Sequence, residues 1–388
     1  MRMRNIVSIL LACGVALTTY TAEAVPSFAK SEGKNCSYCH NAWPQLNHKG
    51  RTYKELGYRL PDRETLTFKE ISEERSFPIS AVLTARPIDK KDDSANQMRA
   101  LHEVEIIVAG EIGDGWSAFV ELEAEDEDTN ERGFEIGVSN AVLAYNYNKA
   151  VNVQFNWGPT LWADPYGFLG DSFRLTRGHV NPIDNVYGGT DGKIRSTRQN
   201  VTVTGRPLNA LFYSVGLSGE ATGGTTTSEG KDASTLHARL AFDITRDIMI
   251  GGFVIDGDIA NGTSNPTEYQ RLGVDAQVDI GSARVQLAVV SATDDDVATP
   301  GAELDNDSIS LQAYYAMKSK SGAPTWVPLV RFDSYDKNNG TEDYDEVTVN
   351  ITRYITQNSK AYLEYWDRSG PTAADDADRI TLQLAVGF

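Results

Sequence analysis

The sequence predicts an all-β fold. The expected form is a transmembrane antiparallel β-barrel of about 16 strands, preceded by a short α-helical segment. Three observations carry the prediction. Strand-like segments of period two repeat from about residue 77 to the last residue. The connections between them alternate between tight turns and long polar loops. Outside the first residues, no stretch approaches the roughly 18 consecutive apolar residues that a membrane helix needs.

The chain divides into three parts: 1–24, 25–75 and 76–388. The first is "MRMRNIVSILLACGVALTTYTAEA". Arg2 and Arg4 give it a basic start, an apolar run follows, and Ala22-Glu23-Ala24 has the small-x-small form of a cleavage site. This is a secretory signal peptide, too short in its apolar run to span a bilayer. A rival reading places a lipoprotein cleavage at Cys13, but the apolar run continues past that residue. Of the three cysteines, cleavage after Ala24 leaves Cys36 and Cys39, and no odd thiol.

The second part contains "NCSYCHNAWPQLNHKGRTYKELGY". Cys36, Cys39 and His40 spell C-x-x-C-H, the attachment signature of c-type haem. Two other readings of C-x-x-C find no support. A thioredoxin-type motif needs a surrounding βαβ pattern, which is absent. A zinc site needs a second pair of ligands at motif spacing, and none follows. One covalent haem c is therefore expected, with His40 as the proximal iron ligand. Short helices broken at Gly50 and Gly57 are expected to follow. A segment of this length is too short to bury a haem alone, so something else must cover the ring.

The second axial ligand is open. Methionine would raise the potential, but the segment has none. His48 is nearest in sequence and is the first candidate for the distal position. Strand parity aims Met98 and His102 at lipid unless a bulge intervenes. His179, in a long connection, is the remaining possibility.

The third part alternates cleanly. In "ARVQLAVVSA", Val285, Leu287 and Val289 share one face and Arg284, Gln286 and Ala288 the other. In "RITLQLAVGF", Ile380, Leu382, Leu384, Val386 and Phe388 share a face. In "VNVQFNW", Val151, Val153, Phe155 and Trp157 oppose Asn152, Gln154 and Asn156. One apolar and one polar face suits a soluble sandwich or a membrane barrel. The loops decide between them. Turns after even strands are tight: Gly113-Asp114, Asn148-Lys149, Arg206-Pro207, Arg246-Asp247, Gly281-Ser282, Ser321-Gly322 and Gln357-Asn358. Loops after odd strands are long, for example "GEATGGTTTSEGKDAS". Sorting by parity puts short turns at one rim and long loops at the other, as in outer-membrane barrels. The terminal Phe388 on the apolar face resembles the signal read by the outer-membrane assembly machinery. The longest connection, 158–197, is expected to enter the lumen as a constriction, to cap the outer mouth, or simply to lie exposed.

Strands "LHEVEIIVAG" and "WSAFVELEAEDED" flank the Gly113-Asp114 turn. Glu103, Glu105, Glu121, Glu123 and Glu125 should then share the lumen face, together with Arg99. Like charges directly opposed are unfavourable, so arginines or cations are expected among them. Carboxylates suit hard cations and also iron. The group is either a cation-lined wall or, at Glu103, Glu105, Glu121 and Glu123, a site for a metal-ion substrate. The chain carries 54 acidic and 36 basic residues, a net charge of −18, which excludes nucleic acid as a partner.

With Cys36, Cys39, His40, Pro44, Leu46, Asn47, Gly50, Arg51, Tyr53, Lys54, Gly57 and Tyr58 ahead of a barrel, the sequence resembles the fused cytochrome–porin family. Those outer-membrane proteins include iron oxidases. The resemblance implies a Gram-negative outer-membrane protein with a haem in or near the barrel mouth. It implies that electrons cross the membrane, with extracellular Fe(II) or another external redox partner on one side and a periplasmic carrier on the other. On that reading the chain is an Fe(II)-oxidising cytochrome. The alternatives are a cation-favouring porin with a haem plug or redox sensor, and electron export to an external acceptor.

Overall fold

The computed structural model describes residues 26–74, 78–126, 134–169, 174–185, 187, 193–219, 235–259, 267–296 and 298–388. The signal-peptide segment 1–24 lies outside them. Sixteen antiparallel strands close a barrel. They are β1 (Ile79–Lys91), β2 (Arg99–Gly113), β3 (Trp116–Glu125), β4 (Glu135–Asn146), β5 (Asn152–Gly158), β6 (Arg198–Leu208), β7 (Leu211–Ser218) and β8 (Thr235–Thr245). The second half comprises β9 (Ile248–Ile259), β10 (Thr267–Ile280), β11 (Ala283–Asp295), β12 (Glu303–Tyr315), β13 (Pro324–Lys337), β14 (Glu342–Tyr354), β15 (Ser359–Ser369) and β16 (Ala377–Gly387). Each pairs with its neighbour, and β16 returns to β1, with Leu384 opposite Ala85. Closure leaves no edge, so every strand satisfies its backbone within the wall, as lipid requires.

The alternation places the sequence as expected. Along β11, Arg284, Gln286, Ala288, Val290, Ala292 and Asp294 are buried inward. Outward residues such as Val274, Leu272, Val349, Ile351 and Leu363 stay about half exposed. Trp116, Tyr147, Tyr315 and Trp326 are exposed near the tight-turn rim, where an aromatic girdle belongs. An apolar exterior of this extent is a lipid-facing surface, which places the barrel in the outer membrane of a Gram-negative bacterium. Among the described residues no helix is long and apolar enough to cross a membrane.

Two local expectations are corrected. The β6–β7 connection is not at Arg206-Pro207: β6 continues to Leu208, and the register shifts between Gly205 and Leu208. Pro207 is tolerated at that irregularity because it owes the ladder no N–H. The second correction concerns His102. Thr84 of β1 faces Glu103, but Arg86 faces Arg99. Between these pairs one residue of β1, Ala85, faces three of β2, and this bulge turns His102 inward to 1% exposure. Met98 lies just ahead of β2 and is exposed.

The lumen is filled from two sides. Residues 26–74 carry helices α1 (Pro26–Glu32), α2 (His48–Glu55) and α3 (Phe68–Glu74). They are anchored all round the wall: Ser27 to Ser80 of β1, Glu55 to Arg206 of β6, and Arg51 to the Arg246 carbonyl. The ring continues with Leu46 held by Arg284 of β11 and Trp43 by Tyr354 of β14. The Cys36 amide donates to Gln357 in the β14–β15 turn. Arg246 and Gln357 belong to tight turns, so the segment occupies that end of the barrel.

From the other side, the described residues of the long connection fold into the lumen, one of the three placements its length allowed. It includes the short helix α4 (Asn181–Asp184). Leu161, Phe168, Leu169, Val180, Ile183, Tyr187 and Ile194 pack against Phe253, Ile255, Tyr269, Val290 and Tyr335 of the wall. Its polar groups are matched too. Arg239 lies 2.9 Å from Asp164 of the loop and 2.7 Å from Asp275 of the wall, all three buried. Buried charges are tolerated only when paired in this way.

Candidate functional site

The haem motif sits on a single tight turn. Residues Cys36–Tyr38 form a 3₁₀ helix, and the Cys39 amide donates to the Cys36 carbonyl at 3.1 Å. Side chains three apart eclipse on such a helix, so both sulfurs face the same way. Neither forms a disulfide. Burial, then the neighbouring Cys36, pushes the Cys39 thiol up to about 11. That is the reverse of an activated redox dithiol.

His40 follows directly. Its Nδ1 lies 3.0 Å from the Pro44 carbonyl. A carbonyl can only accept, so Nδ1 carries the proton and Nε2 is left as a bare acceptor, the form a metal requires. Burial lowers the His40 imidazole to about 4, which keeps the ring neutral at ordinary pH. The turn is locked by α2. Asn47 caps that helix through Lys49 and Gly50, and its side chain donates to the Tyr38 carbonyl. Gly50 does not break a helix here, contrary to the sequence expectation. It lies inside α2 because a Cβ would meet the Cys39 carbonyl oxygen at 2.3 Å. Gly57, with φ of +66°, does follow the helix end.

Both cysteines and His40 line a cavity of about 1010 Å³, at the upper end of ordinary ligand pockets. Its apolar wall comes from segment and barrel together. Phe28 stacks on Tyr58 with ring centres 5.0 Å apart, Tyr58 leads to Phe119 of β3, and Phe119 meets Trp162 of the long connection at 5.1 Å. Lys54, Arg86 and Lys360 supply positive charge on the same wall. Lys54 donates to the carbonyls of Trp162 and Asp164 at 2.7 and 3.0 Å, tying α2 to the long connection. Burial lowers its ammonium to about 8.

The donor set fits haem c. Two like-facing sulfurs suit thioether links, one bare imidazole nitrogen suits the iron, an aromatic cage suits a flat macrocycle, and cationic groups suit its acid side chains.

Of the five histidines, His40 and His179 line this cavity. His48 does not. It opens α2 on the side of Arg51, Asp243, Arg206 and Glu55, where burial and then Arg51 lower its imidazole. His179 is contacted at its ring nitrogens by Arg174, so metal ligation there would require that contact to give way. His237 is buried between Ser218 and Thr202.

The acidic face forms as read. Glu103 pairs with Glu125, Glu105 with Glu123, and Ile107 with Glu121 across β2 and β3. All five glutamates line the same cavity as Cys36 and His40. From Glu103 to Ile107 the column runs four residues, about 14 Å along the strand. It descends from the long-loop rim toward the haem motif. His102 stands at its upper end, which strand parity had hidden.

No family profile and no curated relative matches this sequence. Solved structures do resemble it. An anion-selective porin from Comamonas acidovorans aligns with a TM-score of 0.60 at 12% identity, over 80% of this chain and 98% of that one. Salmonella typhi OmpF, solved with daunomycin, gives 0.57 at 10% identity, over 80% and 97%. A loop-deletion form of OmpT from Vibrio cholerae gives 0.55 at 15% identity, over 80% and 98%. The likeness is one of fold: the chain is a porin-like outer-membrane β-barrel.

Proposed function

We propose that this barrel holds one haem c in its lumen and carries electrons across the outer membrane, from extracellular Fe(II) to a periplasmic carrier. The single observation that carries the reading is the shared cavity. Cys36, Cys39 and His40 open into the same space as the acidic column of β2 and β3. Bound there, haem c supplies a one-electron couple. The residues do the rest. The 3₁₀ turn presents both sulfurs, Pro44 fixes the His40 tautomer, and α2 backs the turn through Gly50. Phe28, Tyr58, Phe119 and Trp162 exclude water. The glutamates raise the local concentration of cations at the rim. One-electron transfer needs proximity and a tuned potential rather than an acid–base pair.

The test is the absorption spectrum of the purified protein before and after anaerobic addition of ferrous iron. A haem c spectrum that becomes reduced supports the reading, and a haem-loaded protein that stays oxidised refutes it. His40→Ala should abolish the response while the barrel still assembles.

The porin-like neighbours favour a second reading, a cation-favouring channel with the haem segment as plug or sensor. Against it, residues 26–74 and the long connection both occupy the lumen. Large single-channel conductance in bilayers, with haem that ignores iron, would establish the channel instead.

A further inference from the structure

We propose that His102, Glu103 and Glu125 form a divalent transition-metal site at the outer end of the acidic column. One ring nitrogen of His102 and one carboxylate oxygen from each glutamate lie within 4.8 Å of one another. Crowded carboxylates alone would be a wet wall. The imidazole makes the difference. His102 is 1% exposed, and its Nε2 is buried with no hydrogen-bond partner. Such an atom ordinarily costs stability when nothing satisfies it.

The other nitrogen explains why Nε2 is bare. His102 Nδ1 is 2.7 Å from Asp126 Oδ1. Arg99 Nη1 also lies 3.3 Å from Nδ1, but the carboxylate is the closer neighbour and can only accept, so Nδ1 holds the proton and Nε2 presents a lone pair. A carboxylate that orients the far side of a ligating histidine is a standard second layer of metal sites. Arg99 holds Asp126 at 3.0 Å and so fixes the orienting group in turn. The bulge in β2 is what makes the cluster possible. Without it His102 and Glu103, being consecutive, would point to opposite faces.

Charge argues the same way. Glu103 lies opposite Glu125, and Glu105 opposite Glu123, pairings that repel. Among the described residues, the basic groups on this side include Arg86, Arg99 and Lys360, with Arg174 and Arg177 on the same cavity wall. Arg86 Nε donates to Gln383 at 2.6 Å, Arg99 also bonds Gln97, and Lys360 Nζ lies 4.3 Å over the Trp43 ring. A bound dication would offset the repulsion between the facing carboxylates. One imidazole with two carboxylates suits Fe(II), Mn(II) or Zn(II) better than Ca(II) or Mg(II), which prefer oxygen alone.

The site stands on the geometry of β2 and β3 and not on haem. Where the proposed function also holds, it is the station at which Fe(II) leaves solvent. Its test therefore uses a redox-inert probe. Mn(II) is titrated into full-length, haem-loaded protein in detergent, and free Mn(II) is read by room-temperature electron paramagnetic resonance. One site per chain is expected. His102→Ala should weaken it by tenfold or more. Asp126→Asn should weaken it about 10–100-fold, because the ring loses its orienting acceptor. Asp126 is at the partly exposed rim, so this variant tests the idea even where His102→Ala fails to assemble. Glu121→Gln, lower in the column, should change affinity less than threefold. Equal weakening by Glu121→Gln and His102→Ala would reduce the site to a diffuse acidic field and overturn the proposal. Absence of a saturable site would overturn it as well. Either result leaves the iron response of the haem unaffected as a separate readout.

Discussion

Removal of Arg206 should release residues 26–74 from the barrel. This arginine ties the segment to the wall through a two-pronged ion pair. Its Nε and Nη2 meet the two Glu55 oxygens at 2.7 and 2.8 Å, and Nη1 meets Asp243 at 2.7 Å. The three side chains retain only 9–13% exposure. Breaking a buried pair from one side costs roughly 3–5 kcal/mol, because the partner charge stays behind. The residual exposure argues for the lower figure, about 3 kcal/mol. At about 1.4 kcal/mol per tenfold, the undocked population should rise roughly 100-fold. The assay is limited proteolysis of the detergent-solubilised barrel, following cleavage within residues 26–74. Arg206→Ala should be cut about two orders of magnitude faster while the strands stay protected. The double variant with Glu55→Ala should show a coupling of about 1–3 kcal/mol between the two sites. Unchanged cleavage, or additivity within about 0.3 kcal/mol, would refute the idea that this pair docks the segment.

Three further outcomes are expected. Gly50→Ala drives a Cβ into the Cys39 carbonyl, an overpacking worth about 1–3 kcal/mol, and should lower covalently bound haem per barrel, measured by intact mass; normal loading would contradict the packing account. His179→Ala should alter the potential or ligand spectrum of the haem more than His48→Ala, since only His179 shares the cavity with His40. Asp184 follows pH. Burial raises its carboxyl, but Arg195, then His179 and Lys193, outweigh this and leave it at about 2 against an ordinary 3.8. A depressed acid stabilises above its unfolded value and loses that contribution as pH falls through its folded value. Protease protection of the 193–197 region should therefore hold at pH 5 and decline between about 4 and 2, and Asp184→Asn should remove the decline.

Much of this was legible in the residues. Alternation in Val285, Leu287 and Val289 gave the faces of β11, because a strand has a side-chain period of two. Loop parity separated a barrel from a sandwich, since only a closed wall with two distinct rims sorts its turns by length. The like-facing pair Cys36 and Cys39 was readable from spacing alone, because positions three apart fall on one side of the 3₁₀ turn that carries them. The glutamate pairing followed from the Gly113-Asp114 turn. Other features were hidden for physical reasons. The bulge at Thr84–Arg86 leaves no mark in composition, yet it moved His102 from the lipid face to the lumen. Gly50 read as a helix breaker because propensity is local, whereas its cause is a backbone 11 residues earlier in the chain. His48 looked like a distal ligand by proximity in sequence. Capping by Asn47 starts α2 there and sends the ring toward Arg206. The inward fold of the long connection depended on wall residues far along the chain, such as Asp275, and Asp333, which accepts the Asn181 amide at 3.1 Å.

The central claim is that electrons cross the membrane through this barrel. It is tested most directly in proteoliposomes with a haem-loaded barrel, ferrous iron outside and a soluble electron acceptor sealed inside. The account predicts that the enclosed acceptor becomes reduced with wild-type protein and stays oxidised with His40→Ala, while no iron enters the vesicle. Iron appearing inside, or an acceptor that stays oxidised beside fully loaded wild-type protein, would contradict it.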